Sequence, residues 1–235
     1  MDNQIDILAF GAHPDDVELS CAGTILKHVS LGNKIGIVDL TRGELGTRGS
    51  AQIRDQESAK AAKILGVEFR HNMNFEDCFF ENNNKNKLEV VKVIRKYRPK
   101  IILCNAIDDR HPDHPKGSDL VSQACFLSGL SKIDTGQEKW RPKNVYHYIQ
   151  FREIEPDFVV DISDFIDRKM ESIKAYQSQF YNPNSQVPET IISSQSFLNS
   201  IEYRASNLGR LSGVKYGEGF TIEKPIVVDS LNSIF

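Results

Sequence analysis

The sequence predicts an α/β fold in which helices cover both faces of a Rossmann-like, mostly parallel sheet. Short apolar runs alternate with segments whose apolar residues recur at helical spacing, a pattern typical of βαβ units. Glycine or proline follows each of the first three helical segments, where either residue stops a helix. With 40% hydrophobic residues in a length of 235, the chain can bury one large core, so we expect a single domain over residues 1–235.

The first half of the chain predicts four strands and three helices in alternation. Its helices have apolar residues three or four positions apart and end at Gly32, Gly66 and Pro99. Its strands are apolar runs that are too short for a helix and are bounded by turn residues. The predicted strands are 5–10, 34–40, 67–75 and 100–105, and the predicted helices are 19–31, 51–65 and 87–97.

The second half predicts a less regular continuation of the same fold. The spacing of Phe165, Met170 and Ile173 predicts a helix over 164–180, and a polar loop follows it. The other predicted elements are helices 116–130 and 196–211, strands 144–151 and 158–162, and extended segments 214–222 and 226–228.

Two charged loops follow the first and fourth predicted strands, at residues 11–18 and 106–115. In a doubly wound sheet whose strand order begins 3-2-1-4 these strands are neighbours, so their loops face one crevice, where such folds bind ligands. Either loop alone could be a helix start, because Pro and Asp are favoured in the first turn. Imidazole beside carboxylate in both loops instead favours a metal-dependent site.

The residue types in these loops fit a catalytic metal with one open coordination position, which needs three protein ligands. The set that meets this count is His13, Asp16 and His114. Asp15 is left beside the metal as a carboxylate that can take a proton from water and return it to a leaving group. His111, paired with Asp113 and cationic, could stabilise the oxyanion of a tetrahedral intermediate.

At these residues the chain resembles a known enzyme family. Segments 12–18 and 109–114 together are similar to the motifs of the LmbE or PIG-L family, zinc-dependent N-deacetylases that act on N-acetylglucosamine units. Segments 61–66, 176–180 and 216–220 resemble the branch that serves bacillithiol biosynthesis. The resemblance therefore implies removal of acetyl from N-acetylglucosaminyl malate.

The resemblance implies the same metal-ligand set and the same roles for Asp15 and His111. It implies Zn²⁺ as cofactor, although these ligands also suit other divalent metals such as Fe²⁺. It further implies that Arg54 and Arg110 bind the carboxylates of malate through their guanidinium groups. The alternative for Arg54 is a helix-surface residue paired with a neighbouring acid. Some relatives use a C-terminal tyrosine as a second oxyanion donor, and the sequence does not identify one here.

The composition limits the kinds of molecule that we expect the protein to bind. A net charge of -3 without long basic clusters favours a small acetamido-sugar substrate over nucleic acid or an anionic membrane. No apolar run is long enough to span a bilayer and the first residues are polar, so we expect a cytoplasmic protein. Four widely spaced cysteines predict reduced thiols without a role. The resemblance implies a homo-oligomer, with a hexamer as the reasonable expectation.

Other functions stay open at this point. The motifs recognise the acetamide end, so the substrate could be another N-acetylglucosamine conjugate or a chito-sugar. A non-hydrolytic nucleotide-binding Rossmann-like module is a second alternative, but the first turn lacks Gly-x-Gly-x-x-Gly and its acids would repel a pyrophosphate. A structural metal site is a third, and such a site is usually closed by four protein ligands.

Overall fold

The computed structural model describes residues 4–230 and residue 232. Within these residues the strands are β1 Ile7–Gly11, β2 Ile35–Thr41, β3 Phe69–Phe75, β4 Ile101–Cys104, β5 Asn144–Tyr148, β6 Phe158–Asp161 and β7 Gly217–Ile222. The helices are α1 Asp16–Ser30, α2 Ala51–Leu65, α3 Asn84–Tyr97, α4 Asp113–Ser128, α5 Ile166–Lys174 and α6 Gln195–Ser212.

The described strands form one sheet in the order β3-β2-β1-β4-β5-β7-β6. The first five strands pair in parallel, and β7 lies antiparallel between β5 and β6. The predicted mostly parallel sheet and its initial order 3-2-1-4 are therefore confirmed. This order places β1 in the interior of the sheet, between β2 and β4.

Helices cover both faces of the sheet. Successive side chains of a strand point to opposite faces, and on β1 both sets of side chains are apolar. On β1, Leu8 and Phe10 pack with apolar residues of α3 and α4, whereas Ile7 and Ala9 pack with apolar residues of α1. All four of these side chains are fully or almost fully buried. A strand buried on both faces is typical of a parallel sheet, and it gives the loop after β1 a rigid base.

Helices α1 and α4 begin earlier than the periodicity predicts, inside the two charged loops. Helix α1 begins at Asp16, within the acidic motif that the sequence also indicates as a helix start, although its apolar period begins only at residue 19; α4 begins at Asp113 rather than near 116. The apolar period marks only the part of a helix that faces the core, so it misses a polar first turn. The consequence is that Asp16, Asp113 and His114 lie in first helical turns at the sheet's carboxyl edge.

Two other segments differ from the predictions. Helix α5 ends at Lys174 instead of 180, because the following residues bond elsewhere: the Tyr176 hydroxyl to Glu18 and the Ser178 amide to Glu57. The predicted extended segment 226–228 forms no strand, and Val227 is 93% exposed. No helix among the described residues is long and apolar enough to span a bilayer.

A buried ion pair fixes the bend in α1. The helix is interrupted at Cys21, whose φ of -135° and ψ of 18° are not helical, so the next amides lack their usual carbonyl partners. The Glu218 carboxylate accepts hydrogen bonds from the amides of Gly23 and Thr24 at 2.9 and 2.7 Å, and Lys169 Nζ donates to it at 2.5 Å. Glu218 thereby ties α1 and α5 to β7.

We expect Glu218→Gln to lower the free energy of unfolding by about 3–5 kcal/mol, because it leaves the buried Lys169 ammonium without a counter-charge. Urea denaturation monitored by circular dichroism measures this change. The matched control is Glu89→Gln, which breaks the exposed Glu89–Lys92 pair and should cost less than about 1 kcal/mol. Equal effects of the two substitutions would contradict the structural role of the buried pair.

Candidate active site

A cavity of about 400 Å³ opens at the carboxyl edge of the sheet. The loops after β1, β2, β3, β4 and β5 contribute to its lining, together with residues 190–192 and α6. The sequence-predicted site residues that line it are His13, Asp15, Asp16, Arg54, Arg110, His111 and His114. Asp113 lies directly behind this lining, where its carboxylate contacts His13.

Asp16 lies between the two histidines that the sequence pairs with it. Its Oδ1 is 3.2 Å from His114 Nε2, and its Oδ2 is 3.5 Å from His13 Nδ1. Two amides hold the carboxylate in place: Gln150 Nε2 donates to Oδ1 at 2.6 Å and Asn105 Nδ2 to Oδ2 at 3.0 Å. The structure thus brings the three predicted metal ligands together.

The close approach of these groups depends on the local backbone. A Cβ at Gly11 would lie 2.9 Å from the His13 carbonyl oxygen and 3.2 Å from Asp16 Cβ, so a larger residue would push the motif apart. Asp15 has a φ of 114°, a conformation that residues other than glycine rarely adopt. Backbone strain of this kind is commonly found at functional sites.

Each histidine of the pair also contacts a carboxylate through its other nitrogen. His13 Nε2 is 3.1 Å from Asp77 Oδ1 and 3.3 Å from Asp113 Oδ2. His114 Nδ1 is 3.0 Å from Asp109 Oδ2. Carboxylates in this position fix the orientation of an imidazole and strengthen it as a metal ligand.

The carboxylates change the proton affinity of both rings. Burial would lower the pKa of His13, but hydrogen bonds to Asp113, Asp16 and Asp77 outweigh it and raise the pKa well above its usual value. Burial likewise opposes protonation of His114, yet Asp16 and Asp109 raise its pKa to about 9. Burial would raise the pKa of Asp16, but the two histidines hold it well below the usual value. The pocket therefore favours positive charge between these side chains.

His111 differs from the other two histidines. Its ring centroid lies 4.6 Å from that of His13 and 5.2 Å from that of His114. Burial, together with these two neighbours, lowers the pKa of His111 to about 4. The Asp113 carboxylate bonds to His13 and Lys116, and only its backbone amide reaches the His111 ring, donating to Nδ1 at 3.3 Å. The expected cationic His111 paired with the Asp113 carboxylate is therefore wrong: burial and the two neighbouring histidines oppose the charge, and the carboxylate bonds to His13 and Lys116 instead.

Asp15 and Arg54 form a buried pair at the cavity wall. Arg54 Nη2 donates to Asp15 Oδ2 at 2.8 Å and also to the Pro14 carbonyl, and Nη1 donates to the Gly43 carbonyl at 3.3 Å. Burial raises the pKa of Asp15 to about 7, against the lowering effect of Arg54. The alternative of Arg54 as a helix-surface residue is wrong, because its side chain is buried and contacts the loop after β1.

Arg110 is the arginine of the cavity lining whose guanidinium has no hydrogen bond or ion pair among the described residues. Its Cζ lies 4.9 Å from the centroid of the Phe151 ring. Arg48 and Arg204 also line the cavity, but their guanidinium groups donate to protein carbonyls and, for Arg48, to the Ser185 hydroxyl. The Arg110 guanidinium is therefore available to bind an anionic group in the cavity, as its predicted substrate-binding role requires.

The donor atoms in this pocket fit a divalent transition metal. Two groups each bring three possible ligand atoms within 4.8 Å of one another: His13, His111 and His114, and His13, Asp77 and Asp113. The Asp16 carboxylate contacts two members of the first group. Imidazole nitrogen and carboxylate oxygen beside an accessible cavity are the donors of catalytic zinc sites.

Several residues of the site were not assigned from the sequence. The missed side chains that contact the predicted ligands are Asp77, Asn105, Asp109 and Gln150. Asn105 follows β4 directly, and Gln150 lies two residues after β5. The rule that ligands bind at the carboxyl ends of strands could therefore have found both. The same rule applies to Asp77, which lies two residues after β3. No tyrosine is present among the described residues that line the cavity.

The chain is similar to known deacetylases over most of its length. A diacetylchitobiose deacetylase of Thermococcus kodakarensis is 30% identical over 229 residues, covering 91% of this chain and 81% of the relative. A probable N-acetyl-α-D-glucosaminyl L-malate deacetylase of Bacillus anthracis is 28% identical, covering 77% of this chain and 84% of the relative.

A solved structure has a similar fold over nearly the whole chain. A conserved protein of Thermus thermophilus superposes with a TM-score of 0.88 at 32% identity, covering 97% of this chain and 99% of that protein. The sequence model of one family, described as PIG-L: GlcNAc-PI de-N-acetylase, matches residues 8–125, which include both charged loops. The chain therefore belongs to the PIG-L family of de-N-acetylases.

Proposed function

We propose that the protein is a metal-dependent amide hydrolase that removes the acetyl group from an N-acetylglucosamine unit of a small conjugate. The observation that carries this proposal is the buried Asp15 carboxylate beside the Asp16, His13 and His114 cluster, at the wall of an accessible cavity. Such a cluster provides a metal site and a separate proton acceptor in one place, which is what hydrolysis of an amide requires.

The ligand set proposed for the metal is His13, Asp16 and His114, with zinc as the expected ion. When bound, the ion would act as a Lewis acid toward the acetamide and the attacking water. Asn105 and Gln150 keep both oxygens of Asp16 directed at the histidines, so the site is held in place by the fold. Iron and other divalent metals suit the same donors.

Asp15 is the proposed proton carrier. It takes a proton from the water that attacks the acetyl carbonyl, and it returns that proton to the sugar nitrogen when the carbon–nitrogen bond breaks. The products are acetate and a free amine on the sugar. Arg54 holds Asp15 in this position by joining its carboxylate to the carbonyls of Pro14 and Gly43.

His111 is the proposed donor to the oxyanion. Because the Asp113 amide donates to Nδ1, the ring carries its proton on Nε2, and a neutral imidazole can donate this proton as a hydrogen bond. A preorganised donor of this kind stabilises the tetrahedral intermediate without a full positive charge.

For the substrate, we propose N-acetylglucosaminyl malate, and hence a role in bacillithiol biosynthesis, with a chito-sugar as the alternative. The free guanidinium of Arg110 at the cavity supports an anionic aglycone. Relatives named for each of the two substrates are similar to this chain, which supports both. A cytoplasmic location and a homo-oligomer of up to six copies belong to the same proposal.

A nucleotide-binding module without hydrolysis is disfavoured by the charge of the pocket. Asp15 and Asp16 are buried beside the first turn of α1, where a pyrophosphate would have to bind. Two fixed carboxylates there would repel it.

Metal analysis distinguishes the proposed ligands from the group of three histidines. We expect Asp16→Asn to lose tightly bound zinc after dialysis, whereas His111→Ala keeps about one zinc per chain, because His111 is proposed to contact substrate rather than metal. Asp108→Asn, an exposed neighbour, serves as control and should keep its zinc. Loss of zinc in His111→Ala with retention in Asp16→Asn would make the three histidines the ligands.

Kinetics separate the two roles considered for Arg54. We expect Arg54→Gln to lower kcat by about 100-fold on every substrate, free N-acetylglucosamine included, because Asp15 loses its fixed position. Arg42→Gln is the control, since Arg42 pairs with Asp55 on the surface and should leave kcat unchanged. A rise in KM confined to the malate conjugate would instead make Arg54 an aglycone ligand.

A substrate panel tests the aglycone. We expect Arg110→Ala to raise KM for N-acetylglucosaminyl malate by about 10–100-fold, the cost of a lost charge-assisted hydrogen bond of about 1.5–3 kcal/mol. KM for free N-acetylglucosamine and diacetylchitobiose should change little. The control is Arg152→Ala, whose guanidinium pairs with Asp108 on the surface. Equal turnover of malate conjugate and chito-sugar by wild type, unaffected by Arg110→Ala, would favour the chito-sugar.

A further inference from the structure

Asp77 and Asp109 share a bonding pattern that has no part in the proposed chemistry. Each carboxylate contacts the second nitrogen of a histidine in the proposed metal set. Each also accepts a hydrogen bond from the backbone amide of a residue that lines the cavity. The two aspartates therefore connect the metal centre with two separate walls of the substrate pocket.

The first connection runs from the loop after β1, through Asp77, to the loop after β2. Asp77 Oδ1 is 3.1 Å from His13 Nε2, and Asp77 Oδ2 accepts the amide of Leu45 at 3.0 Å. The Asp77 amide in turn donates to Glu44 Oε1 at 2.9 Å, so two hydrogen bonds join Asp77 to the loop after β2. The Leu45 side chain itself is 57% exposed at the cavity, which leaves it available to a ligand.

The second connection runs from α4 to the segment after β5. Asp109 Oδ2 is 3.0 Å from His114 Nδ1 and accepts the amide of Phe151 at 3.1 Å. Phe151 is 40% exposed, and Arg110 lies over its ring. The Asp109 carboxylate thus fixes the position of two groups: the His114 ring, and the backbone of Phe151, whose ring lies under the Arg110 guanidinium.

Both carboxylates are buried, with exposed fractions of 3% for Asp77 and 5% for Asp109. Burial of an anion is costly unless hydrogen bonds and opposite charge compensate it, so these bonds are strong constraints on both partners. Asp113 also contacts His13 and accepts the amide of Cys78, but its second oxygen is paired with Lys116. Asp77 and Asp109 have no lysine or arginine partner among the described residues.

We propose that Asp77 and Asp109 are positioning residues that couple metal binding to the shape of the substrate pocket. An imidazole that binds a metal must keep its ring orientation. The carboxylate that holds the ring also accepts a hydrogen bond from the backbone of a cavity-lining residue, so it holds that part of the cavity wall as well. Metal and substrate then strengthen each other's binding, because a coupling free energy acts in both directions. The substrate half of this inference rests on the proposed function, and the metal half does not.

The test measures two quantities in Asp77→Asn and Asp109→Asn: the zinc dissociation constant by chelator competition, and KM for diacetylchitobiose and N-acetylglucosaminyl malate at saturating zinc. We expect the dissociation constant to rise about 10–100-fold, the usual cost of losing such a carboxylate. We expect KM for the better of these two substrates to rise at least about fivefold even when zinc is saturating, because the wall residue has lost its anchor.

Two controls make the result specific. Leu45→Ala and Phe151→Ala remove the wall side chains but keep the carboxylates, so KM should rise while the zinc dissociation constant stays unchanged. Asp108→Asn should change neither quantity, and circular dichroism verifies folding of every variant.

Unchanged zinc affinity in both aspartate variants would overturn the proposal, and so would weaker zinc binding with an unchanged KM. Absence of turnover by zinc-loaded wild type would instead refute the proposed function, and the zinc measurements would still test the metal half.

Discussion

The whole site depends on how the protein compensates five buried carboxylates in one crevice. Within the described part of the chain these groups are Asp15, Asp16, Asp77, Asp109 and Asp113. Anions so close together and so little exposed are stable only beside positive charge and hydrogen-bond donors. The compensation comes from Arg54 for Asp15, from Lys116 for Asp113, and from protons held on His13 and His114. A divalent cation at the histidines would supply the same charge in a fixed place.

The fold supplies this arrangement because parallel strands end at one edge. β1 and β4 are neighbours in the sheet, so the loops that follow them meet without any long connection. The first turns of α1 and α4 then direct Asp16 and His114 toward each other. Loops after β2, β3 and β5 complete the pocket, and a backbone amide of each donates a hydrogen bond to a buried carboxylate of the cluster. The cavity walls and the proposed metal ligands are therefore parts of one hydrogen-bonded network.

Much of this could be predicted from the sequence, since strand and helix periodicity and the two charged loops are local signals. The initial strand order was predictable because short alternating elements leave few topologies open. The contacts of Asp77 and Arg54 were not, because each depends on a partner more than 35 positions away with no motif to mark it. The premature end of α5 at Lys174 had the same cause: contacts with Glu18 and Glu57 outweigh a helical pattern. The expected positive charge on His111 was wrong because burial and the two neighbouring histidines lower its pKa, and neither effect is visible in the local sequence.

The function proposed for this cluster is metal-dependent hydrolysis of an N-acetyl group. The most direct test is acetate release from N-acetylglucosaminyl malate and diacetylchitobiose by metal-stripped protein, before and after one equivalent of Zn²⁺. We expect almost no acetate before the addition, and sustained release of acetate with an equal amount of free amine after it. Release that is the same with and without metal would contradict the metal's role. Stoichiometric zinc binding without release from either sugar would contradict the proposed substrates.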